Sequence, residues 1–190
     1  MSDDNLNLRN IKNKRIFLNN LSNYLYTINK NEKKILNRAI KKAHNKLKKC
    51  NLLGFNYNKI KNYPWIVGFS ISDKYEFGYP HTRNNIIILN YKNIYDKDLY
   101  NTLIHERIHI YQKLYKEDID LFINIFKFKK IKEKEKHHLH NPDTDLYIYK
   151  NNNIIFECKI INNKLKYTKN KTIYEHPYEF MTYLIVKLIF

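Results

Sequence analysis

Two histidines and a glutamate stand together in Leu103-Ile104-His105-Glu106-Arg107-Ile108-His109-Ile110-Tyr111-Gln112. On a helix, residues i and i+4 share a face one turn apart, so His105 and His109 can direct their imidazoles at a single metal ion. Glu106 sits about 100° further round the helix, where its carboxylate can act on a water at that ion without ligating it. Such a set suits metal-assisted hydrolysis, with Glu106 as the proton acceptor. A segment doing this has to be helical. Asp96 or Asp98 can cap it, and Leu99, Leu103, Ile104, Ile108 and Ile110 give it an apolar side through about Tyr115.

A catalytic zinc ion takes three protein ligands and keeps one position open. The metzincin pattern would place Gly at the third residue after His109 and His at the sixth. Gln112 and Tyr115 occupy those places, so the third ligand has to come from elsewhere. Tyr174-Glu175-His176-Pro177-Tyr178-Glu179-Phe180 offers one: with Pro177 at the first helical position, Glu179 falls in the first turn, where the helix dipole favours a carboxylate. Glu179 is the expected third ligand, with Glu175 and His176 as the alternatives.

His-Glu-x-x-His-x-x-Gln followed much later by a helix opening x-Pro-x-Glu resembles the small zincin metallopeptidases that use a Glu third ligand, including members in bacteria and large DNA viruses. Where those proteins usually carry Asn-Pro-x-Glu, this chain has His176-Pro177-Tyr178-Glu179. Pro80-His81-Thr82-Arg83 and Asn141-Pro142-Asp143 also look like segments of the viral members. The resemblance covers residues 63–190. It implies a zincin-like α+β fold, in which an antiparallel sheet packs against the HExxH helix and a C-terminal helix. It also implies one zinc ion on His105, His109 and Glu179, and hydrolysis of peptide bonds in a peptide or protein substrate with Glu106 as general base. A further donor must steady the oxyanion. His81, Arg83, Tyr149 and Tyr178 are the candidates, His81 and Tyr149 foremost.

The elements around these residues follow from patterning. Strands are expected at Trp65–Ile71 and Asn85–Asn90, the latter buried or at an edge to which an extended substrate could add. A second helix is expected over Glu117–Ile131, then a turn at 141–145 in which Asp143 and Asp145 cap the backbone or support a zinc imidazole. A three-stranded meander over 145–150, 154–161 and 164–168 precedes the C-terminal helix, which runs to about Leu188. His137, His138 and His140, beside Asp143 and Asp145, lack helical or finger spacing and read as a solvated loop more readily than as a second metal site.

The chain has 190 residues and a formal charge of +17, with 43% hydrophobic and 15% aromatic residues, which excludes the disordered class. Its 30 Lys against 5 Arg, beside 28 Asn and 27 Ile, points to A/T-rich codon usage more than to ligand selection. The charge is uneven: residues 1–50 hold 13 Lys or Arg against 3 Asp or Glu. There Asn31 can cap a helix to about Lys49, with Ile35, Leu36, Ala39, Ile40, Ala43 and Leu47 on one side and lysines on the rest. This basic extension, residues 1–62, can pack on a domain of 63–190, or use 31–49 to contact nucleic acid or phosphate. Lying across the cleft as an inhibitory segment is a third use. Cys50 and Cys158 have no metal or redox spacing and are expected reduced. The acidic N-terminus lacks an apolar signal region, and no stretch is long enough to span a bilayer, so an intracellular protein, or one packaged in a virion, is expected. A non-catalytic basic structural or nucleic-acid-associated protein on the same fold is the competing reading.

Overall fold

The structure, a computed structural model, describes residues 15, 19, 22–71, 73, 78–133, 141–156, 158–161, 164–167 and 176–189. His137, His138, His140 and Glu175 lie outside them.

Helix α1 (Lys30–Leu47) is capped by Asn29 and not by Asn31. The Asn29 side chain accepts from the backbone N–H of Asn31 at 2.9 Å and of Glu32 at 3.0 Å, and Glu32 returns to the Asn29 N–H at 2.7 Å. This reciprocal box fixes the start two residues earlier than a lone asparagine at 31 would. Leu36, Ala43 and Leu47 are buried in the same core as the histidine-bearing helix, while Lys33, Lys34, Arg38, Lys41, Lys42, Lys48 and Lys49 face outward.

A short helix α2 (Tyr57–Ile60) leads to a sheet of β1 (Ile66–Ser70), β2 (His81–Arg83) and β3 (Ile86–Asn90). The order is β1-β3-β2. Strand β3 pairs with β2 antiparallel and with β1 parallel, from Ile66 opposite Ile86 to Ser70 opposite Asn90. This sheet is therefore mixed, a correction to the all-antiparallel expectation. A second correction concerns the Asn85–Asn90 strand: it is the centre of the sheet, with Ile87 and Leu89 fully buried, and has no edge to offer a substrate. The outer edge of β2 is also taken, since the Thr82 N–H donates to Asp143 and the Thr82 carbonyl accepts from Lys113.

After a 3-10 turn (Tyr91–Tyr95) come α3 (Leu99–Leu114) and α4 (Lys116–Ile125). Asp98 stands at the N-cap of α3 without a side-chain capping bond. Helix α4 ends at Ile125, six residues short of expectation, because Lys127 takes a left-handed backbone (φ 56°) and turns the chain into β4 (Lys129–Glu133). Strands β4, β5 (Tyr147–Asn151) and β6 (Ile154–Phe156) form a second antiparallel sheet in that order, and β7 (Cys158–Ile161) with β8 (Lys164–Tyr167) a separate antiparallel pair. Helix α5 (Pro177–Leu188) closes the fold, which is α+β. Among the described residues no helix is long and apolar enough to cross a membrane.

Helix α3 is the hub. It packs on α1, α4, α5, β2 and β3, and ten of its sixteen residues are buried. Arg107 is 2% exposed and has to satisfy a buried guanidinium. It donates to the carbonyls of Pro64 at 2.8 Å, Ile60 at 2.9 Å and Tyr63, and stacks over the Trp65 ring at 4.6 Å. Burial lowers its pKa to about 10, which leaves it charged at neutral pH. The side chain thus ties α3 to the 60–65 loop. Arg107→Ala removes the guanidinium donors to three carbonyls, of which that of Ile60 keeps the Tyr63 N–H, and should destabilise the fold by about 3 kcal/mol. The expected readout is a lower urea midpoint at unchanged slope, and a midpoint within error of wild type would refute the role assigned here.

Candidate metal centre

Helices α3 and α5 bring the site together. At the start of α5, His176 is the N-cap and Pro177 the first helical residue, as the sequence pattern requires, so Glu179 enters the first turn buried at 6% exposure. His105 and His109 project from successive turns of α3. Their Nε2 atoms lie 3.0 Å apart, His105 Nε2 is 3.2 Å from Glu179 Oε2, and His109 Nε2 is 3.2 Å from Glu179 Oε1. Ligand atoms about 2.1 Å from a tetrahedral ion lie about 3.4 Å from one another, so these spacings are close to what one needs. The group His105, His109 and Glu179 can hold a metal ion.

Neighbouring groups fix the ligands. His109 Nδ1 donates to Gln112 Oε1 at 2.8 Å, which leaves Nε2 with its lone pair toward the metal position. The Gln112 amide donates in turn to the Tyr178 carbonyl at 3.0 Å, tying the ligand on α3 to the helix that carries Glu179. Asn141 Nδ2 donates to Glu179 Oε1 at 2.7 Å. His109 and Glu179 are almost fully enclosed, whereas the His105 side chain keeps 20% of its surface, so the approach to the site lies on the His105 side. There the ring of Tyr183 stands edge-on to His105 with centroids 5.2 Å apart, itself 47% exposed.

Glu106 is 3% exposed, and its Oε2 has no hydrogen-bond partner. Burial drives its pKa well above the ordinary carboxylate value, and Asp143 and Glu179 add to the rise. Asp143 itself moves down to about 2: burial opposes ionisation, but the Lys113 ammonium 2.7 Å away and the charge on His109 outweigh it. Burial likewise opposes ionisation of Glu179, yet His109 and His105 hold it well below the usual range. His109 rises because Glu179 and Asp143 outweigh its burial. Three carboxylates against one ammonium leave two negative charges to compensate. A divalent ion matches that balance. With protons alone the load falls on Glu106 and His109, the two groups whose pKa values rise.

The remaining sequence candidates have other partners. Tyr149 is fully buried and donates its hydroxyl to Asp145 at 2.6 Å. His176 shares that aspartate: its Nε2 donates to Asp145 at 2.9 Å and its Nδ1 accepts the Tyr178 N–H at 3.2 Å. Both nitrogens are thus engaged away from the metal position. His81 is 5% exposed with Nδ1 on the Tyr79 carbonyl at 2.9 Å, and Arg83 ends β2. Tyr178 packs its ring on His176. Of the two aspartates weighed in the 141–145 turn, Asp145 caps Tyr147 N–H and anchors His176, whereas Asp143 acts on the site electrostatically. Sequence reading had no role for Tyr183, Asn141 or Lys113. Helical spacing alone places Tyr183 one turn after Glu179 and Lys113 one turn after His109. Asn141 stood out only as part of the resembling Asn141-Pro142-Asp143 segment and for its turn chemistry.

Searches against protein families, curated proteins and solved structures return no match for the chain.

Two outcomes follow from the partners. Gln112→Ala and Asn141→Ala should each weaken divalent-metal binding by about 10- to 100-fold in competition with a chromophoric chelator, and unchanged affinity in both would remove their assigned role. Separately, Asp145 is held at about 2 against an ordinary 3.8: burial opposes this, but His176 and Tyr149 prevail. A depressed carboxylate stabilises the fold above its unfolded pKa and loses that contribution as pH falls through the folded one. Asp145→Asn should therefore cost about 2 kcal/mol above pH 4 in urea titrations, the gap closing toward pH 2; a gap that does not vary with pH contradicts this account.

Proposed function

We propose that the protein is a zinc-dependent metallopeptidase with a zincin-like arrangement of its two site helices. The observation that carries this reading is one juxtaposition: three ligand atoms from two helices lie within 4.8 Å of one another, and the adjacent residue, Glu106, presents a buried carboxylate oxygen without a partner. Two imidazoles and a carboxylate form a donor set suited to zinc.

A zinc ion held there supplies Lewis acidity, which acidifies a water and polarises a scissile carbonyl. The chain's own residues do the rest. Glu106 Oε2 accepts the proton of the attacking water and passes it to the leaving amine. Gln112 and Asn141 hold His109 and Glu179 in ligating orientation. The Lys113–Asp143 pair sets the charge around Glu106, and the walls around His109 and Glu179 exclude bulk water from that side. The substrate enters over His105 and Tyr183. A phenol at this rim can donate to a developing oxyanion, which makes Tyr183 a better candidate than Tyr149 or His81 for that role.

The decisive experiment combines metal analysis with cleavage. Wild type should carry about one zinc per chain and cleave an unstructured protein such as casein. His105→Ala should lose both properties, and Glu106→Gln should keep zinc and fold while cleavage falls by at least ~100-fold. Cleavage that survives in Glu106→Gln, or a folded wild type that binds no zinc, would falsify the reading.

A further inference from the structure

Most of the chain's 30 lysines can be ascribed to composition, and position is what separates a working cation from a solvated one. Five cations gather on α1 and just past its end. Arg38, Lys41, Lys42, Lys46 and Lys49, with Asn45 between them, line an open cleft of about 350 Å³ whose lining, among the described residues, includes no acidic side chain. Their numbers step by three and four, so they form one face along eleven residues, or about 16 Å of helix. The only acid within α1, Glu32, is buried in the cap and satisfied by Asn29, Tyr26 and Tyr95.

Two of the cations are held in place by other elements. The Lys46 ammonium donates to the Ile189 carbonyl at 2.9 Å, at the end of α5. Lys42 Nζ sits 3.3 Å above the centre of the Tyr100 ring, at the start of α3. An ordinary surface lysine samples many rotamers and loses that freedom on binding, and part of that loss is already met here. Lys42 and Lys46 thereby border the first turn of α3 and the C-terminal end of α5, the same two helices that carry the metal ligands at other turns.

We propose that this cleft binds the phosphodiester backbone of a nucleic-acid strand. Each strand of a duplex carries one phosphate per about 3.4 Å of helix-axis rise, a charge density that five cations spread over about 16 Å of protein helix can neutralise in part. The row of cations along one face suits the evenly spaced charges of a sugar–phosphate backbone. A membrane surface fits less well: the lining has no Trp, Phe or Leu to enter the acyl boundary. Contact with phosphates alone gives binding without sequence preference, in keeping with a lining of four lysines and one arginine and no fork aimed at base edges.

The test uses the full-length protein and a 20-base-pair DNA duplex, followed by fluorescence anisotropy over 50–200 mM salt. Arg38, Lys41 and Lys49 are exposed and have no structural partner that alanine would orphan, apart from a long contact of 3.4 Å from Arg38 to the Lys34 carbonyl. Alanine also favours the helix, so the triple variant Arg38→Ala/Lys41→Ala/Lys49→Ala should fold, as circular dichroism can verify. The control variant Lys97→Ala/Lys129→Ala/Lys132→Ala removes the same charge from exposed positions elsewhere. The expected result is a slope of log Kobs against log salt that falls by about 2.7 in the cleft variant, about 0.9 per lost phosphate contact, and by less than one in the control. Equal slopes in the two variants would overturn the proposal, because binding would then follow net charge alone. So would cleft-dependent binding of phosphatidylserine vesicles that outcompetes the duplex.

Discussion

A helix buried on nearly every side cannot leave its polar side chains to water, and this constraint on α3 organises the protein. Glu106, Arg107, His109 and Gln112 are all at most 3% exposed. A buried polar group without a partner costs about 1–3 kcal/mol, and a charged one more. Each of the four therefore dictates what has to be packed around it. Arg107 draws in the carbonyls of the 60–65 loop and the face of Trp65; Gln112 reaches across to the backbone of α5; His109 is shared between Gln112 and Glu179. The apolar residues of α1, α4 and α5 close around this polar spine. The elements that complete the core are in this way also the elements that complete the site.

The same constraint explains why the 141–145 turn matters at a distance from the ligands in sequence. Asn141 donates to Glu179, Asp143 joins Lys113 and Thr82, and Asp145 anchors His176 at the N-cap of α5. Three alternate residues of one turn thus address the ligand, the electrostatics of α3 and the start of the ligand helix. Asp143 seals the outer edge of β2 as well, so the segment that tunes the site also keeps the mixed sheet from pairing further.

The legible part of this in the sequence was the part with rigid spacing. An i, i+4 pair and a proline at a helix start have only one geometry each, so His105, His109 and Glu179 could be placed on one centre before the fold was known. Loops impose no such spacing, so the contact of Asn141 with Glu179 had no local pattern to announce it, and the hydroxyl of Tyr149 is found on Asp145. The fold was misread where the usual punctuation is missing. With three glycines in the chain, left-handed turns fall to Asn84, Lys127 and Asn152. A lysine gives no stop signal, and Phe126, Phe128 and Ile131 continue the helical spacing past it, so α4 was drawn six residues too long. Strand β4 is exposed at all five positions and carries no alternation to betray it. The placement of β3 at the centre of its sheet depends on a parallel partner twenty residues earlier, which local patterning does not encode.

In the proposed hydrolase Glu106 has a use that a purely structural protein would lack. A helix position at 3% exposure among Leu103, Ile104 and Ile110 would be more stable with an apolar residue of similar size, because no protein donor meets Oε2. The cost is increased by Asp143 and Glu179, both ionised nearby. A scaffold protein gains nothing from such a residue. A hydrolase needs it: the carboxylate must be free of protein donors to accept a proton from water, and close to a compensating cation to be ionised when it does so. The partnerless oxygen and the adjacent three-ligand group meet those two requirements together, which is why the unsatisfied atom weighs more heavily toward hydrolysis than the histidine spacing alone.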